Sequence, residues 1–174
     1  MRRFLTLILA AFLLFACTGC GFLGDDQATE ATVYAPDFTL QTVDGESVKL
    51  SSYIGRPIIL NFWASWCSPC KSQMPMYQEK YDAYQDDIVF LAVALIDGSE
   101  ETVESAKAYM EKSGYTFPIY FDMSNQVNEV YGVNSIPATF FIAPDGVIVG
   151  YASGTLTEDG FDDGINRILP ATSE

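Results

Sequence analysis

Apolar and polar positions follow several distinct rhythms along this chain. Two runs, Pro57–Trp63 (PIILNFW) and Ile88–Ile96 (IVFLAVALI), are apolar almost throughout and rich in β-branched and aromatic residues. The first is too short for an independent helix, and both suit buried central strands. Between them, Pro69 to Gln85 places Met74, Tyr77, Tyr81 and Tyr84 three and four residues apart, the spacing of an amphipathic helix. Pro69 suits the first turn, where a missing N–H costs nothing, whereas Pro75 is deeper and should kink the helix. A second helix is expected from a Ser99 cap to about Lys112, with Val103, Ala106 and Met110 on one face and Gly114 after its end.

Shorter signals complete the pattern. Val33 to Leu40 reads as an extended segment broken by Pro36, and Asp44-Gly45 between Thr42-Val43 and Ser47-Val48 as a hairpin. Ser51 to Tyr53 is a turn of helix or a loop. Phe117 to Phe121 is a strand and Gln126 to Tyr131 a short helix. Ala138 to Ala143 and Val147 to Tyr151 flank Pro144-Asp145-Gly146 as a hairpin. Glu158 to Leu169 closes the chain as a helix weakened by Gly160 and Gly164. Strand–helix alternation ending in an antiparallel hairpin implies an α/β sandwich with a mixed sheet.

Composition narrows the chemistry. The 174 residues suit one ordinary domain, and 49% apolar against 18% charged residues is not the balance of a disordered chain. A net charge of −14 argues against nucleic acid as a partner. The absence of His excludes Ser-His-Asp and Cys-His catalysis and His-based metal sites. Four Cys remain to be placed.

Two of them belong to the start of the chain. Arg2-Arg3 precedes a 13-residue run from Phe4 to Ala16, apolar apart from Thr6, and Cys17 follows directly. That run is shorter than the ~20 residues of a membrane-spanning helix and has the length of a signal-peptide core. Leu14-Phe15-Ala16-Cys17 resembles the lipobox of bacterial lipoproteins, which implies cleavage before Cys17 and its lipidation. Thr18-Gly19-Cys20 is the alternative. Removal of residues 1–16 deepens the net charge from −14 to −16, because Arg2 and Arg3 leave and no acid does. The expected organisation is a signal peptide over 1–16, a lipid anchor and flexible tether over 17–33, and a folded domain over 34–171.

The other two lie in Trp66-Cys67-Ser68-Pro69-Cys70, between a buried strand and an amphipathic helix. A sulfur just ahead of a helix meets unsatisfied N–H groups and the positive end of the helix dipole, which favours thiolate. Cys67 is therefore read as the exposed nucleophile and Cys70, one turn on and more buried, as the resolving thiol. A zinc half-site would need two more ligands, and the folded unit holds no His and no further Cys. A purely structural disulfide would close too small a loop to constrain the unfolded chain much.

Asn61-Phe62-Trp63-Ala64-Ser65-Trp66-Cys67-Ser68-Pro69-Cys70-Lys71 resembles the active site of the thioredoxin superfamily. Several flanking features resemble its membrane-anchored, extracytoplasmic TlpA/ResA-like branch. They are Ala35-Pro36-Asp37-Phe38 with the hairpin after it, Pro75, Gly132 to Ile142 and the Asp145-Gly146 hairpin. The resemblance spans about residues 34–169. It implies a thioredoxin fold, a mixed central sheet flanked by helices, with an N-terminal β-hairpin and a central strand-helix insert. It also implies a cis peptide bond before Pro137, beside the cysteines, where the Ile136 backbone would pair with a substrate strand. Trp66, Ser68, Pro69, Ile136 and Pro137 are then the substrate-binding residues, while Trp63 is a core residue. The peroxidase relatives place their reactive Cys in a Pro-x-x-x-Thr-x-x-Cys context, whereas Cys67 follows Phe-Trp-Ala-Ser-Trp.

Two positions depart from the family. Asn61 stands where thioredoxin has a buried Asp, and Gln73 where the ResA-like branch often carries a Glu. A Gln cannot exchange a proton at neutral pH, so Gln73 is either a solvated helix residue or a neutral site residue. Asn61, Gln73 and Lys71 are the candidates for tuning the thiols. The expected activity is reduction of disulfides in exported proteins by a Cys67/Cys70 cycle, with no metal and no cofactor beyond that pair. The resemblance implies a membrane electron donor of the CcdA/DsbD type and, as substrates, apocytochrome c or a secreted methionine sulfoxide reductase. A lipid-anchored monomer on the outer side of a bacterial cell membrane is expected. A disulfide-forming oxidase and a non-catalytic binding lipoprotein are the rivals.

Overall fold

Strands β3 (Ile58–Trp63) and β4 (Val89–Leu95) lie side by side in parallel, from Ile58 opposite Val89 to Trp63 opposite Ala94. They form the middle of a seven-stranded sheet in a computed structural model that describes residues 32–169. Every residue of β3 is buried, since both faces of the sheet are covered, and this explains the unbroken apolar run. Helix α1 (Ser68–Tyr84) connects β3 to β4. Helix α2 (Val103–Ser113) leads to β5 (Ile119–Asp122), which pairs in parallel with β4. After the short α3 (Gln126–Tyr131), β6 (Ala138–Ile142) returns antiparallel to β3 and β7 (Ile148–Ser153) antiparallel to β6. Helix α4 (Glu158–Ile168) closes the fold.

The hairpin β1 (Thr39–Gln41) and β2 (Ser47–Lys49) attaches to β5, giving the order β2-β1-β5-β4-β3-β6-β7. This is the thioredoxin arrangement with the expected N-terminal hairpin. Between β4 and β6 lie α2, β5 and α3, and the hairpin docks on β5 with Gln41 opposite Phe121. A 3-10 turn over Leu50–Tyr53 follows β2.

Alternation along the strands splits the core in two. Ile59, Trp63, Phe90, Ala92 and Ala94 share a buried cluster with Cys67, Cys70 and residues of α1, α2 and α4. Ile58, Leu60, Phe62, Val89, Leu91 and Val93 share the other with Phe38, Leu50 and Val127.

Local chemistry corrects three expectations. Ser99 does not cap α2; Thr102 does, its hydroxyl accepting the Ser105 N–H at 3.0 Å while the Ser105 hydroxyl accepts the Thr102 N–H at 2.8 Å. Ser99 instead belongs to a turn in which one Asp97 carboxylate oxygen accepts the N–H groups of Ser99, Glu100 and Glu101 at 2.7, 2.8 and 3.0 Å. Those bonds hold the Asp97 carboxyl below its ordinary range, the Glu101 N–H contributing most. The N-terminal extended segment joins the sheet only from Thr39, with one isolated bridge between Tyr34 and Val147 ahead of Pro36. Gly164 is no simple weakness of α4, because a Cβ there would lie 2.3 Å from the Phe141 ring. Only a glycine lets the helix approach the sheet so closely.

Helix α1 continues through Pro75, whose missing N–H leaves the Lys71 carbonyl without its helical donor. Gly114 ends α2 in the left-handed conformation at φ 71°, as a helix C-terminus favours. The signal peptide, Cys17, Cys20, most of the tether and the last two residues of the 34–171 domain lie outside the described residues.

Candidate active site

Cys67 is the N-cap of α1. Its backbone is extended, at φ −72° and ψ 108°, and its sulfur accepts the N–H of Cys70 at 3.1 Å. This is the place of a Ser or Asp cap, taken by a sulfur, and it puts the Cys67 side chain at the positive end of α1. Pro69 lies in the first turn, where no helical donor is lost. Cys67 and Cys70 are joined as a disulfide with Cα atoms 5.3 Å apart. Exposure does not separate the two sulfur residues, at 3% for Cys67 and 1% for Cys70. The expected exposed nucleophile is thus covered in this disulfide state, and its N-cap position is what sets it apart from its partner.

The Ile136–Pro137 bond is cis, and the Ile136 carbonyl oxygen lies 3.7 Å from Cys67 Sγ. Residues 36 to 78 positions apart in sequence close around this point. Trp66 is 51% exposed, Ser68 and Pro69 are exposed, and Ile136 is half-buried, so a surface rim surrounds the covered sulfurs. Pro137 itself is buried beneath that rim. The loop after β7 fastens the frame: Gly154 N–H donates to the Pro137 carbonyl at 2.8 Å and Leu156 N–H to Gln73 Oε1 at 2.8 Å.

That last bond settles Gln73, which is buried and ties α1 to the β7–α4 loop; it is not a solvated helix residue. Asn61 is buried too, and its amide donates to Thr139 Oγ1 at 2.9 Å across the β3–β6 pair. It braces the strands under the site. Lys71 is exposed, with its ammonium 5.6 Å from the centre of the Tyr109 ring on α2. Trp63 is fully buried with its ring 5.8 Å from that of Tyr109, the core residue expected.

One side chain at the site was not legible in the sequence. Glu101 is fully buried, and its Oε2 accepts the backbone N–H of Ser65 at 2.6 Å and the Ser65 hydroxyl at 2.8 Å. It stands 36 positions from Ser65, in a Ser-Glu-Glu-Thr run that reads as solvated. Among the described residues, no three His, Cys, Asp or Glu side chains converge as a metal site.

A cysteine pair of this spacing, at a helix N-terminus and beside a cis-proline loop, is equipped for dithiol–disulfide exchange. The AhpC/TSA family matches residues 32–151, most of the described chain. The chain belongs to the AhpC/TSA family. Its curated relatives make the activity specific. The chain is 34% identical over 173 residues to the thiol-disulfide oxidoreductase ResA of Oceanobacillus iheyensis, covering 97% of this chain and 88% of that protein. It is 31% identical over 170 residues to ResA of Bacillus subtilis, covering 98% and 93%. Among solved structures, StoA of Bacillus subtilis aligns with a TM-score of 0.65 at 30% identity, over 77% of this chain and 98% of that one. The exposed lipoprotein thioredoxin Etrx1 of Streptococcus pneumoniae aligns with a TM-score of 0.64 at 34% identity, over 76% and 99%. This AhpC/TSA-family member is a thiol-disulfide oxidoreductase with the thioredoxin fold.

Proposed function

We propose that this oxidoreductase works outside the cytoplasm, held to the membrane by lipid on Cys17 or Cys20, and reduces disulfides of exported proteins. The observation that carries the chemistry is the Cys67 sulfur at the N-cap of α1, accepting the Cys70 N–H. In the dithiol form, the Cys67 thiolate attacks one sulfur of a substrate disulfide. A mixed disulfide forms and one substrate thiolate leaves. The Cys70 thiolate then attacks Cys67 Sγ, the Cys67–Cys70 bond closes, and the second substrate thiolate leaves. Two electrons pass to the substrate, and the two protons released by the cysteines match the two taken up there.

Trp66, Ser68, Pro69 and the Ile136 backbone form the surface on which a substrate strand is held against Cys67. The pair requires no further cofactor and is returned to the dithiol by a membrane-embedded dithiol donor of the CcdA/DsbD type. Apocytochrome c and a secreted methionine sulfoxide reductase are the candidate substrates. The basic start, the apolar run and Cys17 support export and anchoring, as does the lipoprotein named among the structural relatives. Among the described residues no helix is long and apolar enough to cross a membrane.

Full-length Cys70→Ala, expressed in an exporting bacterium, tests this reading. Mixed disulfides through Cys67 should accumulate with exported proteins and disappear when Cys67→Ser is added. Failure to form any adduct, with exported proteins or with a small disulfide, would overturn it. A reduction potential far above the about −270 mV of thioredoxin would make the protein an oxidase instead.

A further inference from the structure

A carboxylate from the segment ahead of α2 reaches the turn that carries Cys67. Glu101 ends the segment ahead of α2, and its Oε2 holds both the N–H and the hydroxyl of Ser65. Its Oε1 accepts the Ser105 hydroxyl at 3.2 Å. Ser65 lies within the turn Ala64–Cys67, which the Cys67 N–H closes on the Ala64 carbonyl at 3.2 Å. The carboxylate is therefore fastened to the turn that presents the nucleophile.

The segment that delivers it is itself tightly held. The Glu101 carbonyl accepts the N–H groups of Asp97 and Gly98, both at 3.1 Å, and the Asp97 carboxylate gathers the N–H groups that follow. The Thr102/Ser105 capping box fixes the next turn. This scaffold places a fully buried carboxylate, a costly group to desolvate, against a loop that a neutral side chain could also have bonded.

Its charge has a consequence for Cys67. The N-terminus of α1 favours an anion at that sulfur, and a second fixed anion beside the turn opposes it. Lys71, on the same helix, has its ammonium by the Tyr109 ring. The cis-proline loop brings the Ile136 carbonyl, and the β7–α4 loop brings the Thr155 hydroxyl and Leu156 N–H, both bonded to α1.

We infer that Glu101 is a positioning residue of the Cys67 turn whose fixed negative charge holds Cys67 back from the thiolate form and so keeps the pair a reductant. Destabilising the thiolate disfavours the dithiol state relative to the disulfide, which strengthens the tendency to give up electrons. The role rests on the reductive direction proposed above.

Full-length Glu101→Gln tests it, because the amide oxygen still accepts from Ser65 while the charge is gone. The pH dependence of iodoacetamide alkylation of Cys67 is measured alongside the equilibrium of the pair with glutathione. The alkylation midpoint should fall by about one pH unit and the glutathione equilibrium should move several-fold towards the dithiol. Should the amide variant not fold, Glu101→Asp carries the test: its shorter side chain draws the charge from the turn, and the midpoint should fall by a smaller part of a unit. A midpoint that stays or rises in the folded variant overturns the inference. If the wild-type pair itself proves oxidising while the Glu101→Gln midpoint still falls, the reductive reading fails and the effect of Glu101 on the thiol stands.

Discussion

On one side of β3, Ile59 and Trp63 share a cluster with both cysteines, Met74, Tyr77 and Phe161; on the other, Ile58, Leu60 and Phe62 meet Leu50, Val127 and Phe140. The two sides are drawn from the same apolar run, yet their polar groups differ. Away from the cysteines the tyrosine hydroxyls are bonded: Tyr131 donates to the Pro36 carbonyl at 2.8 Å, and Tyr53 and Tyr120 pair at 3.2 Å. On the cysteine side, Tyr77 Oη and Trp63 Nε1 are buried with no partner among the described residues. The same side carries the Lys80–Asp162 ion pair between α1 and α4 at 2.5 Å and the close approach of Gly164 to Phe141. One face is a plain apolar support. The other holds the redox pair within packing that includes unmet polar groups and tight glycine contacts.

This division can be broken by substitution. The largest effect is expected from Leu50→Ala on the supporting face, a loss of about 2–5 kcal/mol in urea unfolding. Its rate of insulin disulfide reduction per folded molecule should equal that of the wild type, and a changed rate would end the division of labour between the faces. Gly164→Ala should cost about 1–3 kcal/mol, since the new Cβ meets a ring packed into the core. Adding Phe141→Leu should restore part of that loss, which sharpens the assignment to this one contact.

Lys80→Met should cost about 1 kcal/mol, as Lys80 is buried but Asp162 is partly exposed. The hydrogen bond to Asp162 raises the Lys80 ammonium above its ordinary value of 10.5, against the opposing effect of burial. A group raised on folding stabilises fully below its unfolded value, so the difference from wild type should be constant from neutral pH to about pH 10. It should shrink as pH climbs through the raised value, and a difference growing there would contradict the pairing. The smallest effect is Tyr77→Phe. Burial pushes the Tyr77 hydroxyl well above its ordinary range, and it has no partner among the described residues, so its removal should stabilise by about 0.5–1 kcal/mol.

Much of the architecture was legible because it rests on local pattern. The PIILNFW run, the three-and-four spacing of Met74, Tyr77, Tyr81 and Tyr84, and the Asp-Gly turns each specify an element within a few residues. The cysteine pair was legible for the same reason, as a strand–Cys-x-x-Cys–helix junction. Which face of β3 carries the chemistry was not, because a strand buried on both sides shows no alternation. The start of α2 was ambiguous because Ser99 and Thr102 both offer a capping hydroxyl, and Asp97 decides between them by collecting the intervening N–H groups. The burial of Gln73, and Glu101 altogether, were illegible for a deeper reason. Each is a polar residue whose burial depends on a partner far along the chain, Leu156 for one and Ser65 for the other.

The N-cap position is expected to make Cys67, and not Cys70, the nucleophile. Limited alkylation of the fully reduced protein with iodoacetamide near neutral pH, read by peptide mass spectrometry, tests it most directly. Early modification should be confined to Cys67, with Cys70 left as the free thiol. Modification of Cys70 first, or of both at equal rates, would contradict it.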